Sequence, residues 1–380
     1  MKIKRFETFR VAPRWLFLRI ETDDGLVGWG EPVLEGHVPA VEAEVHALAD
    51  RLMGKDPRLI NDAWQTFYRA GCYRGGGVVM SAISGIDMAL WDLLGRSLGV
   101  PVHTLLGGAQ RSRVRSYCWI GGDIPTDLTS AADRVRRQGF DAVKFNVSGP
   151  MPMVASTRLI DEVVQRVASF RDHVGHDMDF ALDFHGRIHA ATSKVLLREL
   201  APFKPMWVED VVAADQLLAS IEVARTSAIP VAIGERVTSR SEFTTLLESR
   251  AFDVINADPA HCGGITESIK IAAMAEAFDT AFTPHCPLGP IALATCLQID
   301  AVAYNAAWQE QSTRMHYDGS VTLYDYLNSG LSFSDGFLEI PTKPGLGIDV
   351  NEDSVRAAAM RDSAWSVPVW RHADGSIAEW

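Results

Sequence analysis

The sequence predicts an α/β protein whose main part is a (β/α)8 TIM-type barrel, and two observations support this prediction. From about residue 114 onward, eight short β-rich segments alternate with helix-like segments, as in a sheet of parallel strands joined by helices. Acidic or histidine residues stand at the ends of six of these segments, at intervals of 23 to 27 residues, about the length of one strand and helix. We therefore expect a closed barrel that carries these six side chains on the rim at the carboxyl ends of its strands.

The eight predicted strands are short and mostly apolar. They are residues 116–122, 142–147, 179–184, 206–210, 230–235, 253–258, 281–285 and 305–310. Helix-like segments such as "STRLIDEVVQRVASFRDHVG" and "GGITESIKIAAMAEAFD" separate them. Residues 114–325 are therefore predicted to form the barrel domain.

The first 113 residues have a different pattern of predicted strands and helices, which predicts a separate α+β domain. Two alternating β-rich runs, "KIKRFETFRV" and "WLFLRIETDDGLVGWG", indicate a hairpin, and Asp24-Gly25 marks a turn within the second run. The segments "AVEAEVHALADRLMG" and "MSAISGIDMALWDLLGRSLGV" have apolar residues three and four apart, as in helices. The remaining residues, 326–380, form a C-terminal segment.

Composition limits the possible partners and compartments. The chain has 380 residues, 47% of them hydrophobic, so it can bury a large core. Its formal net charge of -12 offers no basic field for nucleic acid or an anionic membrane surface, so we expect neither as a partner. Five scattered cysteines without a CxxC pair favour the reducing cytoplasm. We find neither a signal peptide nor an apolar run of about 18 residues.

Three carboxylates, Asp183, Glu209 and Glu235, end three successive predicted strands. Each one alone would more often be a solvated loop residue or a helix cap. Their regular spacing instead places all three at one barrel mouth, where like charges repel unless a cation lies between them. Oxygen-only ligands suit Mg²⁺, with Mn²⁺ as a substitute. The sequence therefore predicts a magnesium site.

The following strands end in Asp258, His285 and Glu310. Asp258 is expected to accept a hydrogen bond from the imidazole of His285, which would orient the ring for use as a general base. Taken alone, His285 is better explained as a core histidine bonded to the backbone. Glu310, if protonated, would donate a hydrogen bond to a developing oxyanion. A metal, a base and an acid together predict proton abstraction next to a carboxylate.

One short stretch, "ALDFHGR", places His185 two residues after the predicted ligand Asp183. On a strand, residues i and i+2 face the same side. We therefore expect the imidazole of His185 and the carboxylate of Asp183 to face the same point of the site.

The order Asp, Glu, Glu, Asp, His on strands three to seven resembles the enolase superfamily, mandelate racemase subgroup. Further motifs are similar to sugar-acid dehydratases of that subgroup over nearly the whole chain, among them "PRWLFLRIETDDGLVGWGEP", "YRGGG", "LDFHGR", "HCGGITES", "PHCPLGPIALA", "QEQS" and "VWRHADGSIAEW". The resemblance implies that Asp183, Glu209 and Glu235 bind Mg²⁺. It also implies the roles of four further residues: His285 with Asp258 removes the C2 proton, His185 protonates the departing 3-hydroxyl, and Glu310 stabilises the enediolate.

The same resemblance implies that the N-terminal domain caps the barrel mouth and that the C-terminal segment packs back on the cap. Residues expected to bind the sugar-acid substrate are Arg14, Trp15, Tyr73, Arg74, Lys144 and Asn146. For "YRGGG", a flexible surface loop is an equally good explanation. Relatives in the subgroup form homo-oligomers, so we expect one here.

Two departures from the subgroup pattern bear on the reaction. Its racemases carry Lys-x-Lys at the end of strand two, whereas this chain has Lys144-Phe145-Asn146, which favours elimination over racemisation. The usual Glu-Glu-Pro is Glu209-Asp210-Val211, which predicts altered contacts around the metal.

Three alternatives remain. The first is a dehydratase for another aldonic or aldaric acid. The second is a catalytically silent paralogue, which would be expected to have lost a ligand or a base. The third, a metal hydrolase barrel, would need a His-x-His that "SYCWIGG" lacks.

Overall fold

The structure, a computed structural model, describes residues 1–315, 318–360 and 365–380. Its N-terminal part is a three-stranded antiparallel sheet followed by helices. The elements are β1 (Ile3–Val11), β2 (Trp15–Thr22), β3 (Val27–Gly30), α1 (Val38–Ala49), α2 (Ile60–Arg69), α3 (Gly77–Leu98) and α4 (Val102–Leu105). The predicted hairpin thus has a third strand, because Gly25 turns the chain with a positive φ of 87°. The sequence analysis did not predict α2.

The second part is a parallel barrel with helices between its strands. The strands are β4 (Arg113–Ile120), β5 (Ala142–Asn146), β6 (Asp179–Asp183), β7 (Val208–Glu209), β8 (Val231–Ile233), β9 (Val254–Ile255), β10 (Ala281–Phe282) and β11 (Gln309–Gln311). The helices are α5 (Leu128–Arg137), α6 (Thr157–Val174), α7 (Ala190–Leu200), α8 (Leu217–Arg225), α9 (Arg240–Glu248), α10 (Gly264–Ala277) and α11 (Pro290–Asp300).

Strand pairing closes the barrel. Strands β4 to β10 pair in chain order, and β11 pairs in parallel with β4. A bridge between Phe282 and Ala306 joins the last two segments. The predicted fold class is therefore confirmed. Apart from β4, the paired strands are shorter than predicted. β9 and β10, for example, each end three residues before the predicted boundary, where the chain enters the open mouth of the barrel.

The side chains inside the barrel show how strand alternation positions the site. Tyr117, Ala142, Ala181, Trp207, Ala232 and Val254 form one buried cluster within the barrel. The residues two positions further along β5, β6 and β7 are Lys144, Asp183 and Glu209. Because alternate residues of a strand face the same side, these three polar side chains stand directly above the apolar floor.

Helix α3 joins the N-terminal part to the barrel. The hydroxyl of Ser84 accepts hydrogen bonds from the backbone of Gly263 and Gly264, at 2.9 and 3.1 Å. Asp87 accepts bonds from the backbone and hydroxyl of Thr266, at 3.0 and 2.6 Å. By length and composition α3 is apolar enough to cross a membrane, yet 72% of its most apolar window is buried inside the protein, as in a core helix.

The C-terminal segment contacts both parts. Its elements are β12 (Arg314–Met315), β13 (Asp318–Thr322), β14 (Leu327–Ser329), β15 (Phe333–Ser334), β16 (Phe337–Glu339), β17 (Asp349–Val350) and α12 (Glu352–Ala359). β16 pairs antiparallel with β4 of the barrel. Arg19 of the N-terminal sheet bonds Glu352 at 3.1 Å, and Arg356 bonds Glu7 at 3.1 Å. The predicted domain boundaries at residues 113/114 and 325/326 stay predictions.

Candidate active site

The three predicted metal ligands lie together at the carboxyl ends of their strands. Asp183 ends β6 and pairs in register with Glu209, which ends β7, while Glu235 follows β8. One ligand atom from each residue lies within 4.8 Å of the other two, and all three residues are buried. Spacing along the sequence and the geometry of the structure therefore agree on this cluster.

The charges of the cluster are strongly coupled to their surroundings. Burial raises the pKa of Asp183 well above its usual value, and the charge of Glu209 adds to this effect. Burial also raises the pKa of Glu209. For Glu235 the effect of burial is outweighed by His285 and Arg236, which hold its pKa well below the usual value. Three crowded, buried carboxylates fit a hard divalent cation, which would relieve their repulsion.

Lys144 lies beside this cluster and is almost fully buried. Its ammonium nitrogen contacts Glu209 Oε1 at 2.7 Å and Glu310 Oε1 at 2.8 Å. Burial lowers its pKa, but these two carboxylates outweigh burial and raise the pKa well above the usual value. Glu310 also accepts a hydrogen bond from the backbone N–H of Cys286 at 3.1 Å. Lys144 is thus a fixed positive charge just above the apolar floor of the site.

The predicted base and its carboxylate partner are in hydrogen-bond contact. His285 Nδ1 lies 2.8 Å from Asp258 Oδ2, and the other Asp258 oxygen accepts from the backbone N–H of Ala260 at 2.7 Å. His285 Nε2 lies 3.0 Å from Glu235 Oε2. Burial lowers the pKa of His285, but Glu235 and Glu310 outweigh it and raise the pKa well above the usual value. The dyad therefore lies directly next to the carboxylate cluster.

His185 reaches the same cavity by a turn rather than by strand alternation. β6 ends at Asp183, and His185 adopts a positive φ of 53°. Its backbone N–H donates to Asp183 Oδ1 at 2.6 Å, and its carbonyl accepts from Arg236 at 3.0 Å. Burial and the charge of Arg236 lower the pKa of the imidazole well below its usual value. Its Nδ1 is buried and has no hydrogen-bond partner among the described residues.

Arg236 and Asp210 are two residues of the site that the sequence analysis did not assign. Arg236 Nη2 lies 3.0 Å from Glu235, and Nη1 lies 3.5 Å from Asp210. Burial raises the pKa of Asp210 to about 7, and the charge of Glu235 adds to the effect. Asp210, which departs from the usual Glu-Glu-Pro pattern, thus lies beside the guanidinium of Arg236, the residue that follows Glu235. The position of Arg236 directly after the predicted ligand Glu235 is the sequence signal that could have identified it as a site residue.

A group from the cap reaches the dyad from the other side. Arg14 lines the cavity and lies 3.2 Å from Glu35. Glu35 lies 3.6 Å from His261 Nε2, which is 3.5 Å from Asp258. His261 Nδ1 contacts the hydroxyl of Ser81 at 3.0 Å. The sequence analysis missed Glu35 and His261, although His261 stands only three residues after Asp258.

Four of the expected substrate-binding side chains lie outside the cavity. Trp15 packs in the cap against Phe17 and Tyr326, with ring centroids 6.1 and 5.9 Å away. Tyr73 is 96% exposed, and Arg74 lines a separate cleft near Tyr68.

The fourth, Asn146, donates to the carbonyl oxygens of Gly122 and Asp123 and holds that loop in place. Trp15 differs from expectation because β2 directs its ring into the aromatic core. Tyr73 and Arg74 differ because the loop before α3 turns outward.

The cavity itself has a volume of about 300 Å³ and is lined by the cap, the barrel and the C-terminal segment. Lining residues include Arg14, Lys144, Asp183, His185, His285 and Trp380. Cations, carboxylates and imidazoles thus surround a space of the size that small-molecule ligands occupy.

A capped (β/α)8 barrel with three clustered carboxylates and a His–Asp dyad on its rim is the arrangement of an enzyme of the enolase type. The profile described as "Mandelate racemase / muconate lactonizing enzyme, N-terminal domain" matches residues 6–107, and the "Enolase C-terminal domain-like" profile matches residues 127–354. The chain belongs to the mandelate racemase/muconate lactonizing enzyme family of the enolase superfamily. The predicted family is therefore confirmed.

Similar proteins share the whole length of the chain. It is 52% identical over 382 residues to a D-galactonate dehydratase of Xanthomonas campestris pv. campestris, and 50% identical to one of Ralstonia nicotianae, with 100% of both chains covered in each case.

Among solved structures, an enolase from Agrobacterium radiobacter with bound Na and L-malate has a TM-score of 0.90 at 28% identity, with 100% of each chain covered. A mandelate racemase/muconate lactonizing enzyme from Jannaschia sp. CCS1 has a TM-score of 0.86 at 29% identity, covering 94% of this chain and 97% of that one.

Proposed function

We propose that this chain is a Mg²⁺-dependent D-galactonate dehydratase that forms 2-dehydro-3-deoxy-D-galactonate. The observation that carries this proposal is that His185 and His285 line one cavity with the carboxylate cluster. Full-length identity of 50 to 52% to proteins named D-galactonate dehydratase supports the substrate. The chain retains all three carboxylates and both histidines, which disfavours a catalytically silent paralogue.

Asp183, Glu209 and Glu235 would hold the cation, and Mg²⁺ suits their all-oxygen set, with Mn²⁺ as a substitute. When bound, the cation would neutralise negative charge that develops on the substrate carboxylate. Lys144 lies between Glu209 and Glu310 and places a second positive charge at the same side of the cavity. The carboxylate end of the substrate is therefore expected to bind over these residues.

His285 is proposed to accept the C2 proton at Nε2. Asp258 accepts a hydrogen bond from Nδ1–H at 2.8 Å, which orients the ring and stabilises the imidazolium that forms. Nε2, which lies 3.0 Å from Glu235, would become the base once Glu235 binds the cation. The electron pair left at C2 delocalises into the carboxylate and gives an enediolate. Lys144 would stabilise this dianionic species through its positive charge, and Glu310, 2.8 Å from the ammonium, would hold that charge near the oxygens.

His185 is proposed to protonate the departing 3-hydroxyl, which then leaves as water. Loss of this hydroxyl leaves an enol with a C2–C3 double bond, and the enol tautomerises to the 2-keto acid. Atoms and charge therefore balance without a further reactant. His185 lines the cavity, and no described residue competes with a substrate hydroxyl for its Nδ1 atom. Proton removal and proton donation thus belong to different histidines.

The end of β5 supports elimination over racemisation. A racemase needs a second base on the opposite face of C2, and the subgroup supplies it from the position that Asn146 occupies here. Asn146 donates to two loop carbonyl oxygens and offers no basic atom. We further propose a cytoplasmic homo-oligomer that binds neither nucleic acid nor membranes.

The test is a screen of the purified protein against a library of aldonic and aldaric acids, with keto-acid formation as the readout. We expect D-galactonate to be dehydrated in the presence of Mg²⁺, and Glu235→Gln to lose most of this activity. If another diastereomer is dehydrated instead, the reaction class holds and the substrate assignment is wrong. If EDTA-treated protein keeps full activity, the metal assignment is wrong.

A further inference from the structure

Residues 365–380, named here the terminal strap, lie over the mouth of the barrel. Trp365 lies 5.3 Å from the guanidinium of Arg14 in the cap, and Trp370 lies 4.7 Å from that of Arg187 in the barrel. Within the strap, the backbone N–H of Ala378 donates to Trp370 at 3.0 Å, so the chain folds back on itself. The strap is therefore anchored to both parts that form the cavity.

The strap brings Trp380 into the site. Trp380 lines the cavity, and its ring lies 5.5 Å from the imidazole of His185 at an interplanar angle of 89°. Trp365 supports it from behind, with a centroid distance of 5.9 Å. Perpendicular aromatic contact of this kind is favourable and restricts how the imidazole can rotate.

The indole N–H of Trp380 is buried and has no hydrogen-bond partner among the described residues. A buried donor without a partner is costly, and tryptophan usually satisfies its N–H when the ring is buried. His185 Nδ1, in the adjoining ring, is also buried without a partner. Both residues line the cavity, and each therefore has one buried ring nitrogen that no described residue satisfies.

We propose that Trp380 is a substrate-binding residue whose indole N–H donates a hydrogen bond to a hydroxyl of the sugar-acid chain, next to the hydroxyl that departs. This inference rests on the proposed function. The substrate carboxylate is expected over Lys144 and the metal ligands, so the oxygens left for the wall beside His185 are the chain hydroxyls. An indole N–H is a donor only, and a hydroxyl oxygen is the acceptor that matches it.

The main test compares two variants that separate the N–H from the ring. Trp380→Phe keeps an aromatic ring against His185 and removes the N–H, so we expect kcat/KM for D-galactonate to fall about 10-fold, as for one lost hydrogen bond. Trp380→Ala also removes the ring and is expected to lower kcat/KM about 100-fold. Trp370→Phe is the matched control in the same strap, because the ring remains over Arg187 and kcat/KM should stay within about 2-fold.

A second measurement locates the contact along the substrate. Glycolate has a carboxylate and one hydroxyl but no distal chain, so its inhibition constant should be the same for the wild type and Trp380→Phe. An unchanged kcat/KM in Trp380→Phe would overturn the proposal. An equal loss of glycolate affinity would overturn it too, because it would mean that the ring supports the whole site.

The two proposals fail in different ways. If the wild type dehydrates another acid of the library instead of D-galactonate, the proposed substrate is wrong and the Trp380 comparison is made with that acid. If no acid is turned over, the dissociation constants of the library acids with Mg²⁺, measured by calorimetry, replace kcat/KM. Equal thermal unfolding midpoints of the variants and the wild type confirm that each variant is folded.

Discussion

At the scale of single residues, the site is an arrangement of buried charges that compensate one another. Lys144 lies between two carboxylates, and Arg236 lies between Glu235 and Asp210. The pKa of His285 is raised by Glu235 and Glu310 against the effect of burial, whereas burial and Arg236 lower the pKa of His185. These two pKa shifts have opposite sign because the neighbours of the two histidines carry opposite charge. A cation bound to Glu235 would offset the negative charge that raises the pKa of His285, and so favour its unprotonated form.

The first prediction concerns the base. His285→Asn should abolish exchange of the C2 proton of D-galactonate with solvent deuterium, because it removes the imidazole that Asp258 Oδ2 orients at 2.8 Å beside the carboxylate cluster. General-base catalysis of this kind contributes about 10² to 10⁴ in rate. Proton NMR in deuterated water measures the exchange. Exchange at the wild-type rate would remove His285 from this role.

The second prediction concerns the acid. His185→Asn should lower dehydration by about 10² to 10⁴ while C2 exchange continues, since the proton is removed by a different residue. Keto-acid formation and deuterium incorporation are measured on the same sample. If both fall together, the two histidines do not divide the reaction as proposed. Unchanged Mg²⁺ binding serves as the control for an intact metal cluster.

At the scale of elements, strand alternation and the turns after the strands position the site. The inward residues of β5 to β7 alternate between the apolar floor and the polar rim, as the spacing predicts. Helix α3 fixes the cap on the barrel through Ser84 and Asp87. Close approach also matters in the cap, where a Cβ at Gly30 would overlap the carbonyl oxygen of Gly85. The spacing of apolar residues in the sequence does not predict backbone contacts of this type.

The third prediction follows from Asp87, a buried carboxyl between cap and barrel. Burial raises its pKa to about 7, whereas an aspartate in the unfolded chain titrates near about 3.9. The folded state therefore holds a proton that the unfolded state releases between these values. This contribution to stability is complete below about pH 4 and is lost as pH rises to about 7.

Asp87→Asn should remove this dependence. We expect the free energy of unfolding of the wild type to fall, relative to the variant, by up to about 1.4 kcal/mol per pH unit between about pH 4 and 7. Urea unfolding at several pH values measures the difference. Asp177→Asn, at an exposed position, is the matched control and should follow the wild type. Parallel profiles of the wild type and Asp87→Asn would contradict the prediction.

At the scale of the whole molecule, three parts of the chain enclose one cavity. The cap contributes Arg14 and Glu35, the barrel contributes the carboxylates and histidines, and the terminal strap contributes Trp380. No single part completes the site. Ligands that bind the site are therefore expected to stabilise the assembly of all three parts.

The fourth prediction uses the metal to test this coupling. If Mg²⁺ binds the folded cluster and not the unfolded chain, as proposed, a concentration of about 100 times its dissociation constant should add about 2.7 kcal/mol to the free energy of unfolding. Thermal unfolding with Mg²⁺ or EDTA measures the shift. Glu235→Gln, which removes one anionic ligand, should show little of it. If the unfolding temperature of the wild type does not change with Mg²⁺, the cluster is not a metal site.

The sequence by itself determined the barrel and the rim, because a βα unit has a nearly constant length and places Asp183, Glu209, Glu235, Asp258 and His285 at regular intervals. The family followed from the resemblance of its motifs. Only the tertiary structure decided which side chains from elsewhere meet them. Arg236 with Asp210, and Glu35 with His261, are brought together by turns and by docking of the cap. Trp15, Tyr73 and Arg74 lie away from the cavity, and Trp380 lies in it. These contacts join segments distant in the chain, so local spacing carries no information about them.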